Sequence, residues 1–180
     1  MARMLLLATM LVASLVAHAQ VGETDQKPMS KAKAERQARR DAYAAEIDGI
    51  VRSRKFIFRP ITMQNVVTGN TRSVFAYYLY AAVDGDKVVL HLPVEFTSYL
   101  IDTVNIDSYT EGYVADLESG NWRITFSLMN GAERWFVEIF ASNITGQTRL
   151  ALVTPQGVMR YLGTLESGVV VRRKERRVER

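Results

Sequence analysis

The stretch VFAYYLYAAVDGDKVVLHLP, Val74–Pro93, decides the fold of this chain. Two runs rich in β-branched and aromatic residues flank Asp84-Gly85. Asp-Gly between such runs predicts a β-hairpin, because glycine takes the positive φ that the tight turn needs. In the second run His91 alternates with apolar residues, so it is predicted to lie on the opposite sheet face from Leu90 and Leu92.

The alternation begins before this hairpin and continues after it. KFIFRP (55–60) predicts a strand that ends at Pro60. After the hairpin come a longer loop from about Phe96 to Glu111 and then four more predicted strands: WRITFSLM (122–129), RWFVEIFAS (134–142), QTRLALV (147–153) and VMRYLGTL (158–165). About seven strands joined mostly by short turns predict a mainly β fold, and closure into an antiparallel up-and-down β-barrel is the usual way to hide the edges.

A helix is predicted ahead of the strands. Residues 28–52, PMSKAKAERQARRDAYAAEIDGIVR, are rich in alanine and long-chain residues, which favour helix. The apolar stripe appears only in the second half, where Tyr43, Ile47, Ile50 and Val51 fall on one side. The later turns are therefore expected to pack on the strands, and the earlier ones to face solvent.

The first nineteen residues predict export. A basic start at Arg3 is followed by an uncharged apolar run, Met4–Val16, and by Ala17-His18-Ala19, the small-x-small pattern that signal peptidase cuts. The run is shorter than the roughly 20 residues of a membrane span. We expect cleavage after Ala19 and a periplasmic or secreted mature protein.

Composition excludes several classes of function. The chain has no cysteine, which excludes disulfides, thiol nucleophiles and thiolate metal sites. The net charge of +4 comes from the ends, because residues 27–55 and 168–180 are basic while residues 56–167 hold seven basic and eleven acidic side chains. An exported protein with an acidic body is not expected to bind nucleic acid. Its basic helix and tail could instead meet an envelope protein or an anionic lipid surface.

Several motifs resemble a known family. The order of a signal, a charged helix, KFIF, the Tyr-rich hairpin ending in Leu92-Pro93 and the closing Tyr161-x-Gly163 strand is similar to an uncharacterised secreted bacterial family, domain of unknown function 4251. The family usually continues Leu-Pro with Tyr, an aromatic residue and Gly, whereas this chain has Val94-Glu95-Phe96. The resemblance implies a small barrel of lipocalin-like topology in a Gram-negative envelope, and it implies no activity.

No motif predicts catalysis or a metal site. His91 is the natural candidate for a general base near neutral pH in the processed chain. However, it has no accompanying nucleophile motif, so a structural role in the sheet is favoured. Asp84-Gly85-Asp86 lacks the alternating oxygen ligands of a calcium loop. We therefore predict no catalytic residue, no metal and no cofactor.

The aromatic residues are the best candidates for ligand contact. Aromatic-lined cavities suit apolar ligands or sugars, and the predicted ligand-binding residues are Tyr78, Tyr80, His91, Trp122 and Phe126. Core filling uses the same residue types, and the sequence does not say which strand faces point inward. Asp102-Thr103-Val104 resembles a short bacterial O-glycosylation pattern, with Thr103 as acceptor.

These observations divide the chain into four parts: a signal peptide (1–19), a polar linker with a basic helix (20–55), a β-barrel domain (56–167) and a charged tail (168–180). The function that they favour is a non-enzymatic, exported binding module for a small apolar or amphipathic ligand. The alternative is a cell-envelope interaction domain whose barrel is filled by its own side chains and binds no small molecule.

Overall fold

A computed structural model of the chain describes residues 30–66, 68–74, 76–96 and 101–168, excepting the side chains of residues 95, 96 and 101. The chain divides into two compact units, residues 1–36 and residues 37–180. The first unit is described only from residue 30. The predicted signal peptide, the polar linker and residues 169–180 of the tail lie outside the described residues.

One helix and ten strands make up the described part of the chain. They are α1 (Lys31–Ser53), β1 (Lys55–Asn65), β2 (Thr71–Ser73), β3 (Tyr80–Asp84), β4 (Lys87–Phe96), β5 (Ile101–Tyr109), β6 (Glu111–Glu118), β7 (Asn121–Asn130), β8 (Glu133–Ser142), β9 (Thr148–Thr154) and β10 (Gly157–Ser167). Over these residues, no helix has the length and apolar character needed to cross a membrane.

All strands belong to one antiparallel sheet. Their order is β5-β4-β3-β1-β10-β9-β8-β7-β6, and β2 pairs with β1 beside this path. Consecutive strands are neighbours almost throughout, as a meander requires. The predicted hairpin is present, with Ala82 opposite Val89 and Gly85 at φ 63° in the turn. The mainly β, antiparallel prediction is confirmed.

Closure of this sheet into a barrel is not observed. Its two edges are β5 and β6, which do not pair with each other. A single residue, Thr110, separates them, and the shortest common hairpins need two loop residues. The chain therefore continues from β5 at one edge into β6 at the other edge, instead of folding back so that the two strands pair. The predicted long loop from Phe96 to Glu111 is wrong, because most of it is strand β5.

The prediction that Pro60 ends the first strand is also wrong. β1 passes through Pro60 and continues to Asn65, with a register shift between Pro60 and Thr62. Proline has no backbone N–H to donate, and a bulge is one of the few places where a sheet tolerates it. Opposite this bulge stands Gly163, where an added Cβ would lie 1.9 Å from the carbonyl oxygen of Arg59.

One hydrophobic core lies on the inner face of the sheet. Alternate residues of β7, from Trp122 to Leu128, are buried, as are alternate residues of β4, from Val88 to Leu92. From α1, Ile47, Ile50 and Val51 join the same core, which confirms the predicted packing of the later helical turns.

A hydrogen bond shows how strongly the sheet curves. The hydroxyl of Tyr161 on β10 donates to the carbonyl oxygen of Pro93 on β4 over 2.6 Å. These strands are three positions apart in the sheet, which is roughly 14 Å in a flat sheet at about 4.8 Å per strand. A tyrosine side chain cannot span that distance, so the sheet must bend around the core.

Candidate functional site

The predicted ligand-binding residues fall into two separate groups. Tyr78, Tyr80 and His91 lie together on the outer face, and we call them the ring cluster. The ring of His91 is 6.0 Å from that of Tyr80 in a stacked arrangement and 6.0 Å from that of Tyr78 in an edge arrangement. Tyr78 is 47% exposed, and the neighbouring Tyr77 is 87% exposed.

Trp122 and Phe126 lie on the opposite face, inside the core. Each is only 4% exposed, and both pack among the other buried side chains. The ring of Phe126 stacks on Tyr113 at 6.0 Å between centroids. These two residues therefore fill the interior and cannot share a ligand with the ring cluster.

His91 has the surroundings of a structural residue. It is opposite Tyr80 on β3 and Asn105 on β5, and its ring hydrogen-bonds the side-chain oxygen of Asn105. None of the carboxylates whose side chains are described hydrogen-bonds or forms an ion pair with it. Within the described residues, no three His, Asp or Glu side chains come together in a way that could hold a metal ion.

Thr103 lies in strand β5 and not in the predicted loop. It is half-buried and stands opposite Pro93. The sequence predicts a loop here because β5 has few buried apolar side chains: of the residues whose burial is described, only Ile106 is buried. Its O-glycosylation stays a prediction.

A pocket of about 430 Å³ opens at the end of the sheet away from α1. β1 starts next to the helix at Lys55, and the pocket lies at its other end, at Asn65. The β7–β8 and β9–β10 turns contribute the rest of the wall with Val94 of β4. We call it the end pocket; its lining residues are Asn65, Val94, Asn130, Glu133, Trp135, Thr154, Gln156, Gly157, Val158 and Met159.

The end pocket combines an apolar floor with a polar rim. Trp135 and Met159 are each 6% exposed and belong to the core, and half-buried Val94 packs against it. At the rim, Glu133 accepts hydrogen bonds from Trp135 Nε1 at 3.1 Å and from Gln156 Nε2 at 3.5 Å. The amides of Asn65, Asn130 and Gln156 supply both donors and acceptors there.

The floor of the end pocket is fixed by the hydrogen bond across the core. Tyr161 lies two residues beyond Met159 and so faces the same side of β10. Its acceptor, Pro93, directly precedes Val94. Burial raises the pKa of the Tyr161 hydroxyl well above its ordinary value, so the group remains a donor at neutral pH. This hydrogen bond therefore fixes the distance between the two sides of the floor, Met159 on β10 and Val94 on β4.

Sequence reasoning missed the end pocket, although a signal for it was present. In a meander, every second turn lies at the same end of the sheet. Asn130-Gly131 and Pro155-Gln156-Gly157 are two strands apart, so their flanking residues had to meet. The partners from β1 and β4 could not be found in this way, because the course of β1 beyond Pro60 was not predicted.

Comparisons with known proteins agree with this fold. A family model, domain of unknown function DUF4251, matches residues 38–165. The chain is similar to the crystal structure of a DUF4251 family protein from Bacteroides eggerthii DSM 20697, with a TM-score of 0.61 and 14% identity over 73% of this chain and 91% of that one. No curated protein shows significant similarity to the sequence. The predicted resemblance is confirmed: this chain belongs to the DUF4251 family.

Proposed function

We propose that this protein is a non-enzymatic binding module that holds a small amphipathic ligand in the end pocket. The observation that carries the proposal is the combination of buried Trp135 and Met159 with a rim of amide and carboxylate groups. Ligand sites are typically concave and mostly apolar, with a few polar groups that orient the ligand. The ligand would place its apolar part on the floor and its polar head among the rim residues.

The rim indicates which head group fits. Glu133 is the charged rim residue, and it is a carboxylate. An anionic head would be repelled by it, whereas hydroxyl, amide or amine groups would find acceptors and donors. A volume of about 430 Å³ accommodates a short chain or a single ring. We therefore infer a compact ligand with a neutral or cationic head.

The predicted signal peptide supports a site of action outside the cytoplasm. The tripartite pattern in residues 1–19 carries this part of the proposal, and the absence of cysteine is compatible with either redox compartment. A periplasmic or secreted module of this kind would capture its ligand from the envelope or the medium. No cofactor is part of the proposal.

The alternative is an envelope interaction domain, and two observations favour it. The core is filled by its own side chains, and Tyr77 and Tyr78 present large rings to solvent with centroids 5.7 Å apart. Exposed tyrosine is enriched at protein interfaces. In this case Tyr77 together with the ring cluster, not the end pocket, would be the functional surface.

Native mass spectrometry of protein purified from its host without denaturation tests the proposal. Extra mass that disappears on unfolding is expected for the wild type. Val94→Trp, which fills the end pocket, should lose this mass. The matched control Val114→Trp, at a position 47% exposed on β6, should keep it. Extra mass retained by Val94→Trp would place the ligand elsewhere, and a bare wild-type chain would favour the interaction domain.

A further inference from the structure

The outer face of the sheet carries a second concave surface that is unlike the end pocket. It is a groove of about 650 Å³ across β1, β10, β9 and β8, with β2 at its border. We call it the arginine groove, because Arg149 and Arg160 project into it. Hydroxyl and amide side chains face them from β1 and β2, namely Thr62, Gln64 and Thr71.

Strand register brings the two arginines together. Arg160 stands opposite Ala151, and Arg149 stands opposite Leu162. Arg149 and Arg160 therefore occupy diagonal positions on one face, which lie about 7–8 Å apart in an antiparallel pair. The small side chain of Ala151 between Arg160 and Glu138 leaves the depression that forms the groove floor.

No side chain of the described residues neutralises either arginine. Among the described residues, no ion pair or hydrogen bond is made by the guanidinium of Arg149 or Arg160. Other arginines of the sheet are paired: Arg59 with Glu166 at 2.9 Å and Arg134 with Glu111 at 3.0 Å. Two unpaired cations at diagonal positions repel each other, so a bound anion would relieve an unfavourable interaction.

The acidic residue of the groove is already engaged. Glu138 accepts a hydrogen bond from Arg123 Nε at 2.7 Å, and this contact raises the pKa of the Arg123 guanidinium. Arg149, by contrast, lies over the ring of Phe140, 4.8 Å from its centroid. The cation–π contact holds the guanidinium in place without using its N–H donors. The groove thus presents preorganised positive charge beside hydroxyl and amide groups.

We propose that the arginine groove binds a polyhydroxylated anion, namely a sugar that carries a carboxylate or a phosphate. Guanidinium groups recognise both anions with paired hydrogen bonds. Thr62, Thr71 and Gln64 are placed to exchange hydrogen bonds with sugar hydroxyls. This site differs from the end pocket in position, in charge and in the ligand class that it accepts.

The test compares glucuronate with glucose, which share a ring and differ in charge. Two-dimensional NMR titration should show saturable shifts for residues of the groove with glucuronate, and binding at least tenfold weaker with glucose. Arg149→Gln and Arg160→Gln should each weaken glucuronate binding about tenfold or more. Arg134→Gln removes the same charge outside the groove and should leave the affinity unchanged. Glucose 6-phosphate then tests whether the groove prefers a phosphate to a carboxylate. Polygalacturonate tests whether it prefers a polymer to a free sugar.

Two results would overturn the proposal. One is equal binding of glucuronate and glucose, which would mean that the arginines are not used. The other is equal weakening by Arg134→Gln and by the two groove variants, which would mean a non-specific effect of charge. The NMR spectrum of each variant shows whether it remains folded. Val94→Trp should not change glucuronate binding, so this test stands apart from that of the end pocket.

Discussion

The hydroxyl of Tyr161 is joined to the carbonyl oxygen of Pro93 by a hydrogen bond of 2.6 Å that crosses the core. The two residues belong to the two most distinctive motifs of the chain, Tyr161-x-Gly163 and Leu92-Pro93. These motifs are 68 positions apart in sequence, yet they meet beneath the end pocket. Gly163 has a role of its own, because it permits the close approach of β1 at its bulge.

Tyr161→Phe is expected to lower the free energy of unfolding by about 1–3 kcal/mol, because it leaves the carbonyl oxygen of Pro93 buried without a donor. Urea denaturation measures the change. Tyr80→Phe is the matched control on the outer face and should change stability by less than about 0.5 kcal/mol. Equal effects of the two substitutions would contradict a structural role for the bond across the core.

The same hydroxyl predicts how stability depends on alkaline pH. Burial raises the pKa of Tyr161 above its ordinary value of 10.0. A raised pKa in the folded state stabilises the protein fully below pH 10, and this contribution is lost as the pH rises further. The wild type should therefore lose stability above about pH 10. Tyr161→Phe should lose less, the remainder coming from Tyr43 and Tyr113, whose pKa values burial also raises.

Two glycine-to-alanine substitutions should have opposite effects on stability. At Gly163 an added Cβ would collide with the backbone of Arg59, so Gly163→Ala should destabilise by about 1–3 kcal/mol or more. Gly49 lies on the exposed side of α1, where an added Cβ would have nothing within 4 Å, so Gly49→Ala should stabilise by about 0.5–1 kcal/mol. Thermal unfolding of both variants checks the signs. A neutral Gly163→Ala would show that the bulge adapts.

The contribution of α1 to the core can be measured with two isoleucines. Ile47 is 1% exposed, and Ile61 of β1 is 41% exposed. Ile47→Ala should cost about 2–5 kcal/mol because it leaves a cavity, whereas Ile61→Ala should cost less than about 1 kcal/mol. Comparable costs would mean that the helix contributes little to the folded state.

Processing tests the predicted export. When the full chain is expressed in a Gram-negative host, the protein recovered from the periplasm or medium should begin at Gln20, which intact mass and N-terminal sequencing detect. Replacing Ala19 with a bulky residue should block cleavage there. An unprocessed wild-type chain in the cytoplasm would show that residues 1–19 are not a signal.

Much of the fold was predictable because local sequence patterns determine it. Alternation puts Leu90 and Leu92 on the opposite sheet face from His91, and Asp84-Gly85 specifies its turn. β5 and β6 were not predictable, because their exposed, acidic residues offer little apolar alternation. Whether the sheet closes depends on how the backbone passes Thr110, the single residue between these two edges, and no apolar alternation there indicates it.

The candidate sites show the same contrast between local patterns, which were predictable, and the pairing of strands, which was not. The aromatic residues predicted from the sequence divide between the two faces of the sheet, and the sequence could not tell the inner face from the outer one, so Trp122 was grouped with Tyr78. Tyr77 and Tyr78 belong to the first predicted run, but they lie in a turn, because β3 begins only at Tyr80. The end pocket and the arginine groove both depend on register between distant strands, as in the pairing of Gln64 with Arg160.

The proposal that the end pocket binds an amphipathic ligand is tested most directly by the fluorescence of its own tryptophan. The chain has two tryptophans, so Trp122→Phe leaves Trp135 in the pocket floor. Trp135→Phe leaves Trp122, whose ring lies 5.3 Å from the guanidinium of Arg52 on α1, as the control. Each variant is titrated with octyl glucoside below its micelle concentration, and with octanoate. We predict a saturable change in Trp135 emission with octyl glucoside, a weaker one with octanoate and no change for Trp122. An unresponsive Trp135 in a folded protein, or equal responses of both tryptophans, would contradict a ligand site at the end pocket.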